Sequence, residues 1–323
     1  MPLETVSLGS TGLSVSELAF GTWRFGKETD QGTVEVRRGR AYELLDAYAE
    51  AGGNFIDTAD VYGGGTAEEI IGDWMAARDR EAFVIASKIY WPTDPEDPNA
   101  AGLNRRHLRR GIDRILDRLD TDYLDLLYIH RWDDATPARE LMRTLAGLVD
   151  DGRVNYLGTS TKVPNAWRVA QANEIARREG WEPFTVAQPR YNLVDREIEG
   201  NYLDMSREYG IGICPWSPLG WGFLTGKYER GAGTPEDSTA AEDARFEAAY
   251  LTEENFDALE VLRAVAEEVG ATPAQVAIAW LAAKPTVTAP IIGARTVEQL
   301  EENLAAADVS LSPDQLARLD DAK

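Results

Sequence analysis

The sequence predicts an α/β protein, a (β/α)8 TIM barrel with an N-terminal β-hairpin and long loops on the C-terminal face. Three observations carry that prediction. Short β-rich runs alternate with longer helical segments, the runs repeatedly stop at a polar or reactive residue, and no composition break divides the 323 residues. Alternation of this kind marks a parallel sheet, and barrel enzymes place their chemistry at strand C-termini. One domain over residues 1–323 is expected, since barrels of this size are usually undivided.

The elements follow in order. An extended pair at residues 3–16 precedes a first strand near 17–21 that runs into Gly21-Thr22-Trp23. A helix at about 38–51 repeats Ala41, Leu44, Leu45, Tyr48 and Ala49 at helical spacing and stops at Gly52-Gly53. Strand 54–57 ends at Asp57, and Thr66-Ala67-Glu68-Glu69 has the spacing of a capping box that opens the next helix. Strand 82–87 ends at Lys88, helix 105–119 follows, and strand 124–129 ends at His130. Helix 137–150, strand 154–159, helix 164–179, strand 184–188, helix 196–209 and strand 211–215 continue the alternation. The acidic, glycine-containing stretch from Gly220 to Tyr250 reads as a functional loop or lid. Helices near 253–269 and 272–284, a last strand at 286–292 and a helix at about 296–307 complete eight βα units. A doubly wound sheet is the rival, but Gly21-Thr22-Trp23 stands where its glycine-rich turn belongs, and Gly63-Gly64-Gly65 lacks the Lys-Ser/Thr of a phosphate loop.

Composition excludes several function classes. The chain holds 55 acidic and 33 basic residues, a net charge of −22, and only six of the basic residues are lysines. That field repels nucleic acid and anionic membranes at low salt. Acids spread along the chain, rather than gathered in a tail, fit a surface adapted to molar salt, where the Debye length falls to ~3 Å. No run approaches the ~20 apolar residues of a membrane span, and no basic-then-apolar leader opens the sequence. The single Cys214 excludes an internal disulfide and fits a reducing compartment, so a cytoplasmic protein without a metal cluster is expected. Nothing in the sequence points to a particular oligomeric state.

Four of the strand-end residues suit one another chemically. A tyrosine phenol, with an ordinary pKa of ~10, is a poor acid at neutral pH. A nearby ammonium favours the phenolate and is expected to lower that value. A buried ammonium needs a carboxylate, and a histidine can orient a carbonyl oxygen. Tyr62, Lys88, Asp57 and His130 fit those roles on successive strands. The other histidine, His107, lies among Arg105, Arg106, Arg109 and Arg110 and is expected on a solvated helix face. Trp23, Tyr90, Trp91 and Trp132 follow strand ends and are expected to form an aromatic mouth for apolar or aromatic aldehydes and ketones. Acids in the Gly220–Tyr250 stretch, which can cover a bound cofactor, are expected to disfavour anionic substrates at low salt.

The run Phe55 to Gly63, Ala86-Ser87-Lys88, and Leu116 through His130 resemble the aldo-keto reductase superfamily. So do Gly158-Thr159-Ser160, Gln188 to Asn192, Trp216-Ser217-Pro218-Leu219-Gly220, Leu224 to Lys227 and Gly293-Ala294-Arg295, in the family's order over nearly the whole chain. The chain resembles the branch of generic bacterial and archaeal reductases that also includes potassium-channel β subunits. The resemblance implies an NADPH-dependent carbonyl reductase with Tyr62 as general acid, Lys88 beside it, Asp57 holding Lys88, and His130 orienting the substrate. It places the nicotinamide on Trp216, with Ser160 and Gln188 at its carboxamide, while Thr161 stands where many members have asparagine. It also assigns Gly21, Thr22, Trp23, Ser217, Leu219, Gly220 and Lys227 to the cofactor site. Gly293, Ala294, Arg295, Gln299, Glu302 and Asn303 match the adenosine-phosphate site, where Arg295 offers a bidentate fork to a 2′-phosphate. Gln299 replaces an arginine of other branches, which leaves NADH use open, and Arg295 has a surface pair with Glu298 or Glu302 as its alternative. A regulatory subunit that binds the cofactor with slow turnover is the second reading, and a sugar-phosphate isomerase barrel the third.

The salt-adapted surface makes a direct prediction. The melting temperature should climb as KCl is raised into the molar range, measured by thermal scans; a flat response would remove that reading.

Overall fold

The computed structural model describes residues 2–29, 32–232 and 244–323. Two short strands, β1 (Thr5–Ser7) and β2 (Ser14–Ser16), pair antiparallel as the expected hairpin. Eight parallel strands follow: β3 (Ala19–Gly21), β4 (Phe55–Asp57), β5 (Val84–Ile89), β6 (Leu124–Ile129), β7 (Val154–Thr159), β8 (Phe184–Ala187), β9 (Gly212–Ile213) and β10 (Ile291–Ile292). They pair in sequence order, with β10 beside β3. Parallel bridges Ile213↔Val287 and Trp216↔Ile291 join the remaining edge, so the sheet closes into a (β/α)8 barrel.

Helices α1 (Arg38–Glu50), α2 (Thr66–Met75), α3 (Arg105–Leu119), α4 (Ala138–Asp150), α5 (Ala166–Glu179) and α6 (Asn201–Tyr209) connect successive strands. Between β9 and β10 lie α7 (Ala244–Tyr250), α8 (Glu253–Val269) and α9 (Pro273–Ala282), and α10 (Val297–Leu304) and α11 (Pro313–Asp320) end the chain. The helices form where the sequence supplies both a buried stripe and an end signal. In α3, Leu108, Ile112, Ile115, Leu116 and Leu119 are buried; Asn104 caps the start by accepting from the His107 N–H at 2.9 Å. Thr272 with Gln275, and Ser312 with Gln315, form full capping boxes ahead of Pro273 and Pro313.

Two apolar layers result. Inside the barrel, Ala19, Phe55, Val84, Ala86, Leu126, Tyr128, Val186, Cys214 and Ala289 pack with Leu8 and Val15, so the hairpin plugs the N-terminal end. A second, larger layer fills the space between strands and helices. With the bottom sealed, the C-terminal ends of the strands are where groups can meet a ligand.

Several expectations need correction. The predicted capping box at Thr66 does not form: Gly65, at φ 104°, occupies the cap position without a side-chain bond, and Glu68 points into the core. β9 and β10 are shorter than the runs 211–215 and 286–292, because their continuations meet the neighbouring strand only at isolated bridges. α6 starts at Asn201 rather than 196; Asn192 turns the chain there by accepting from the N–H groups of Val194 and Asp195. α11 was not anticipated, although Ser312-Pro313 and Gln315 are its start signal. His107 is buried, not solvated: it shares the i, i+4, i+8 row of Gly111 and Ile115, and the arginines take the other face. Eleven of the 31 residues of the predicted lid, 233–243, lie outside the described residues. No helix among the described residues is long and apolar enough to cross a membrane.

Candidate active site

The site is assembled by strand register. β4 and β5 pair Asp57 with Ala86, and β5 and β6 pair Lys88 with Tyr128, so Asp57, Lys88 and His130 emerge at adjacent strand ends. Tyr62 arrives on a turn, Tyr62–Gly65, whose Gly63, Gly64 and Gly65 all have positive φ. A Cβ on Gly63 would stand 2.6 Å from the Phe25 carbonyl oxygen, so backbone crowding and conformation both demand glycine there.

Lys88 is the centre. Its ammonium is fully buried and donates to Asp57 Oδ2 at 2.6 Å, to the Thr58 carbonyl at 2.7 Å and to the Tyr62 hydroxyl oxygen at 3.0 Å. Gln188 donates from Nε2 to Asp57 Oδ1 at 2.7 Å, so both carboxylate oxygens are held. Thr22 fixes the Asp57 carbonyl through its N–H at 2.9 Å and its hydroxyl at 3.0 Å. Burial alone would strip the Lys88 proton; Asp57 and Tyr62 outweigh it and hold the ammonium above its usual range. Burial leaves the His130 imidazole neutral, with a pKa down at about 3, and the Lys88 charge acts in the same direction. The His130 ring stands edge-on to Tyr62 with centroids 6.0 Å apart.

The expected acidification of Tyr62 is not what the resting site produces. Burial raises the phenol above 10, and the pull of Lys88 does not overcome it. In water-poor surroundings the loss of phenolate solvation exceeds one ammonium contact whose charge Asp57 partly neutralises. In this arrangement Lys88 stands at hydrogen-bond distance from the Tyr62 oxygen, where an ammonium can stabilise negative charge.

A second buried layer braces this set. Glu68 on α2 accepts from the Ser87 hydroxyl at 2.5 Å and from Arg118 Nε at 2.7 Å. Ser87 precedes Lys88, and the Arg118 side chain passes 3.0 Å from where a Gly65 Cβ would lie, so the pair ties the Tyr62 turn to β5. Asp60 is buried beside them, and neither carboxyl oxygen has a hydrogen-bond partner among the described residues. The chain signalled this layer only through Glu68 inside an apolar helix stripe.

Above these groups opens a cavity of about 1230 Å3. A single small-molecule site occupies ~300–1,000 Å3, so there is room for two partners. Gly21, Trp23, Asp57, Tyr62, Trp91 and His130 line one part of it; Ser160, Gln188, Trp216, Ser217, Leu219 and Lys227 line another; and Gly293, Ala294, Arg295, Gln299, Glu302 and Asn303 line the far end. Thr22 and Gly220 do not reach it: both are buried behind the rim, Gly220 against Tyr250. Two of the expected mouth residues are elsewhere. Trp132 is 5% exposed and packs in the layer beneath the rim, and Tyr90 turns away with its ring edge-on to Trp91 at 5.2 Å. Trp221 takes their place, its ring 5.7 Å from Trp23. Trp221 holds φ 56°, a strained value for a bulky residue, and only the flanking Gly220 and Gly222 hinted at so sharp a turn.

The cavity reverses the charge of the molecule. Among the described residues seven Lys or Arg side chains line it against four Asp or Glu, in a chain of net charge −22. Four of the six acids on which the expectation of a site unfavourable to anions rested, Glu236, Asp237, Glu242 and Asp243, lie outside the described residues. At the far end the Arg295 N–H donates to Gln299 Oε1 at 2.9 Å, and Asn303 donates to the Gly293 carbonyl at 3.1 Å. Among the described residues Arg295 pairs with Glu35, 3.6 Å from Nε, and not with Glu298 or Glu302; Arg24 and Lys27 join the same carboxylate.

A model of the aldo/keto reductase family matches residues 17–323. The chain belongs to that family. This aldo/keto reductase is 39% identical over 311 residues to a probable voltage-gated potassium channel subunit beta of Oryza sativa subsp. japonica, covering 94% of this chain and 90% of that one. It is 37% identical over 317 residues to norsolorinic acid reductase stcV of Emericella nidulans, covering 96% and 79%. It is 36% identical over 325 residues to an aryl-alcohol dehydrogenase (NADP+) of Phanerodontia chrysosporium, covering 96% and 83%.

Asp60 gives this reductase a pH-dependent liability. Burial first, then the charge of Glu68, push its pKa up to about 8, against ~3.9 for an unfolded aspartate. Between those values the folded state keeps a proton that the unfolded chain has lost, so this group's contribution to stability falls as pH rises from about 4 to 8. Asp60→Asn removes that dependence. Its melting temperature should exceed the wild type's by more at pH 8 than at pH 5, and an equal difference at both would contradict the protonated Asp60.

Proposed function

We propose that this chain is an NADPH-dependent carbonyl reductase that converts aldehydes or ketones to alcohols, with Tyr62 as the proton donor. The observation that carries the reading is the Lys88 ammonium, bonded at once to Asp57 and to the Tyr62 hydroxyl on the floor of a cation-rich cavity.

The lining suits a nicotinamide dinucleotide. Lys227 and Arg295 supply positive charge along one side of the cavity, and the N-terminus of α10 lies beside Arg295. A Cβ on Gly293 would meet no atom nearer than the Gly21 carbonyl oxygen at 3.9 Å, so glycine there leaves a cradle open to the cavity. When bound, the reduced nicotinamide supplies a hydride to the carbonyl carbon. The residues of the chain do the rest. The Tyr62 hydroxyl gives its proton to the carbonyl oxygen, and Lys88 stabilises the phenolate left behind through the contact already in place. Asp57 keeps Lys88 charged and fixed, and solvent returns the proton to Tyr62. The neutral His130 donates a hydrogen bond that orients the carbonyl without competing for the proton. Trp23, Trp91 and Trp221 give the mouth an aromatic wall, in keeping with a relative named as an aryl-alcohol dehydrogenase.

A second reading has its own support. The 39% identity to a protein named as a probable channel subunit fits a cofactor-binding regulatory role with slow turnover. Steady-state oxidation of NADPH with a panel of aryl aldehydes separates the two, because binding without turnover favours the subunit.

Two substitutions test the assignment. Tyr62→Phe should lower kcat by roughly 10²–10⁴-fold, the usual contribution of a general acid, while NADPH still quenches the protein fluorescence. Retained turnover would discard Tyr62 as the donor. Arg295→Ala should raise the Kd for NADPH more than that for NADH by roughly tenfold, the worth of a charge-assisted bond to the 2′-phosphate. Equal losses for both dinucleotides would contradict that role.

A further inference from the structure

Six of the seven cations that line the cavity fall into two kinds, Lys227 lying beside the Tyr228 ring. Arg24, Lys27 and Arg295 converge on Glu35, and Arg190 lies 3.1 Å from Asp195, so each has a carboxylate of the chain beside it. Arg131 and Lys162 also line the cavity, but neither side chain makes an ion pair or hydrogen bond among the described residues. Two uncompensated cations at one mouth, in a chain with 55 acids to 33 bases, call for an anion from outside.

Their place says which partner brings it. Arg131 follows His130, and its guanidinium lies 5.9 Å from the Trp91 ring centre. Trp91 stands edge-on to His130 at 6.2 Å, and His130 stands edge-on to Tyr62 at 6.0 Å. A molecule whose carbonyl oxygen meets the Tyr62 hydroxyl therefore passes His130 and runs along Trp91 toward Arg131. β6 and β7 pair Ile129 with Thr159, so Arg131 and Lys162 extend from adjacent strand ends and flank the same exit. Lys88 cannot serve this anion, because it is buried and shared between Asp57 and Tyr62.

We infer that the substrate is an aromatic aldehyde or ketone carrying a carboxylate, its ring against the tryptophans of the mouth and its charge held by Arg131 and Lys162. The inference rests on the carbonyl-reductase reading and adds the substrate class. The chemistry balances as before: the carbonyl carbon gains a hydride from the reduced dinucleotide, which is oxidised, and the oxygen gains the Tyr62 proton. The carboxylate takes no part in bond making. An arginine fork on a planar carboxylate supplies direction as well as attraction.

The test compares kcat/KM for 4-carboxybenzaldehyde and benzaldehyde at saturating NADPH and one fixed ionic strength. The wild-type enzyme should favour the carboxylated aldehyde by about fivefold or more, the worth of one partly exposed ion pair. The ratio should fall to about one in Arg131→Gln/Lys162→Gln and be partly kept in Arg131→Lys, which conserves the charge. A wild-type ratio of one, or a ratio unchanged in the double variant, overturns the proposal. So does a loss shared equally by both aldehydes with a raised KM for NADPH, which would assign the two cations to the dinucleotide. Failure of the wild type to reduce either aldehyde would instead remove the carbonyl-reductase reading beneath it.

Discussion

A lysine ammonium with no access to water is the feature around which the upper half of the barrel is arranged. Taking such an ion out of water costs several kcal/mol even after relaxation. Three acceptors offset that cost here: the Asp57 carboxylate, the Thr58 carbonyl and the Tyr62 hydroxyl. They come from a strand end, the residue after it and a glycine turn, so all three must be in register for Lys88 to stay charged. Asp57 is itself held from across the barrel by Gln188 and from the preceding strand by Thr22. Removing Asp57 would leave an unpaired buried charge, which is why the tolerance for change at that position is small.

The same constraint gives the layer below its meaning. Glu68 and Arg118 join α2, α3, β5 and the Tyr62 turn through one buried carboxylate–guanidinium pair. A turn with three consecutive glycines at positive φ has little stiffness of its own. The Arg118 side chain beneath Gly65 and the Ser87 bond to Glu68 supply it. Proton donation depends on the distance between two oxygen- and nitrogen-bearing side chains, and here that distance is set by packing rather than by the loop.

Charge is partitioned between surface and site. Acids dominate the chain, yet the cavity collects Lys27, Lys162 and Lys227, half of its six lysines. With a screening length of ~3 Å in molar salt, the distant acids contribute little to the potential inside the cavity, and the local cations decide it. An acidic exterior and a cation-lined cavity are therefore compatible in one molecule.

The sequence by itself determined the fold class, the order of the βα units and the membership of the reactive set. Strand periodicity and register place Asp57, Lys88 and His130 at neighbouring barrel ends whatever the side-chain details, and the glycines after Tyr62 announce its turn. What it left undecided depends on long-range burial. Whether Trp132 faces the cavity or the layer beneath it, whether Trp221 completes the mouth, whether His107 is wet or dry, and which carboxylate meets Arg295 are all settled by contacts between residues far apart in the chain. The sign of the Tyr62 shift belongs to the same group. Local chemistry puts an ammonium beside a phenol, but the outcome is a balance between that charge and the solvent excluded by the whole barrel, and only the tertiary structure fixes how much solvent is excluded.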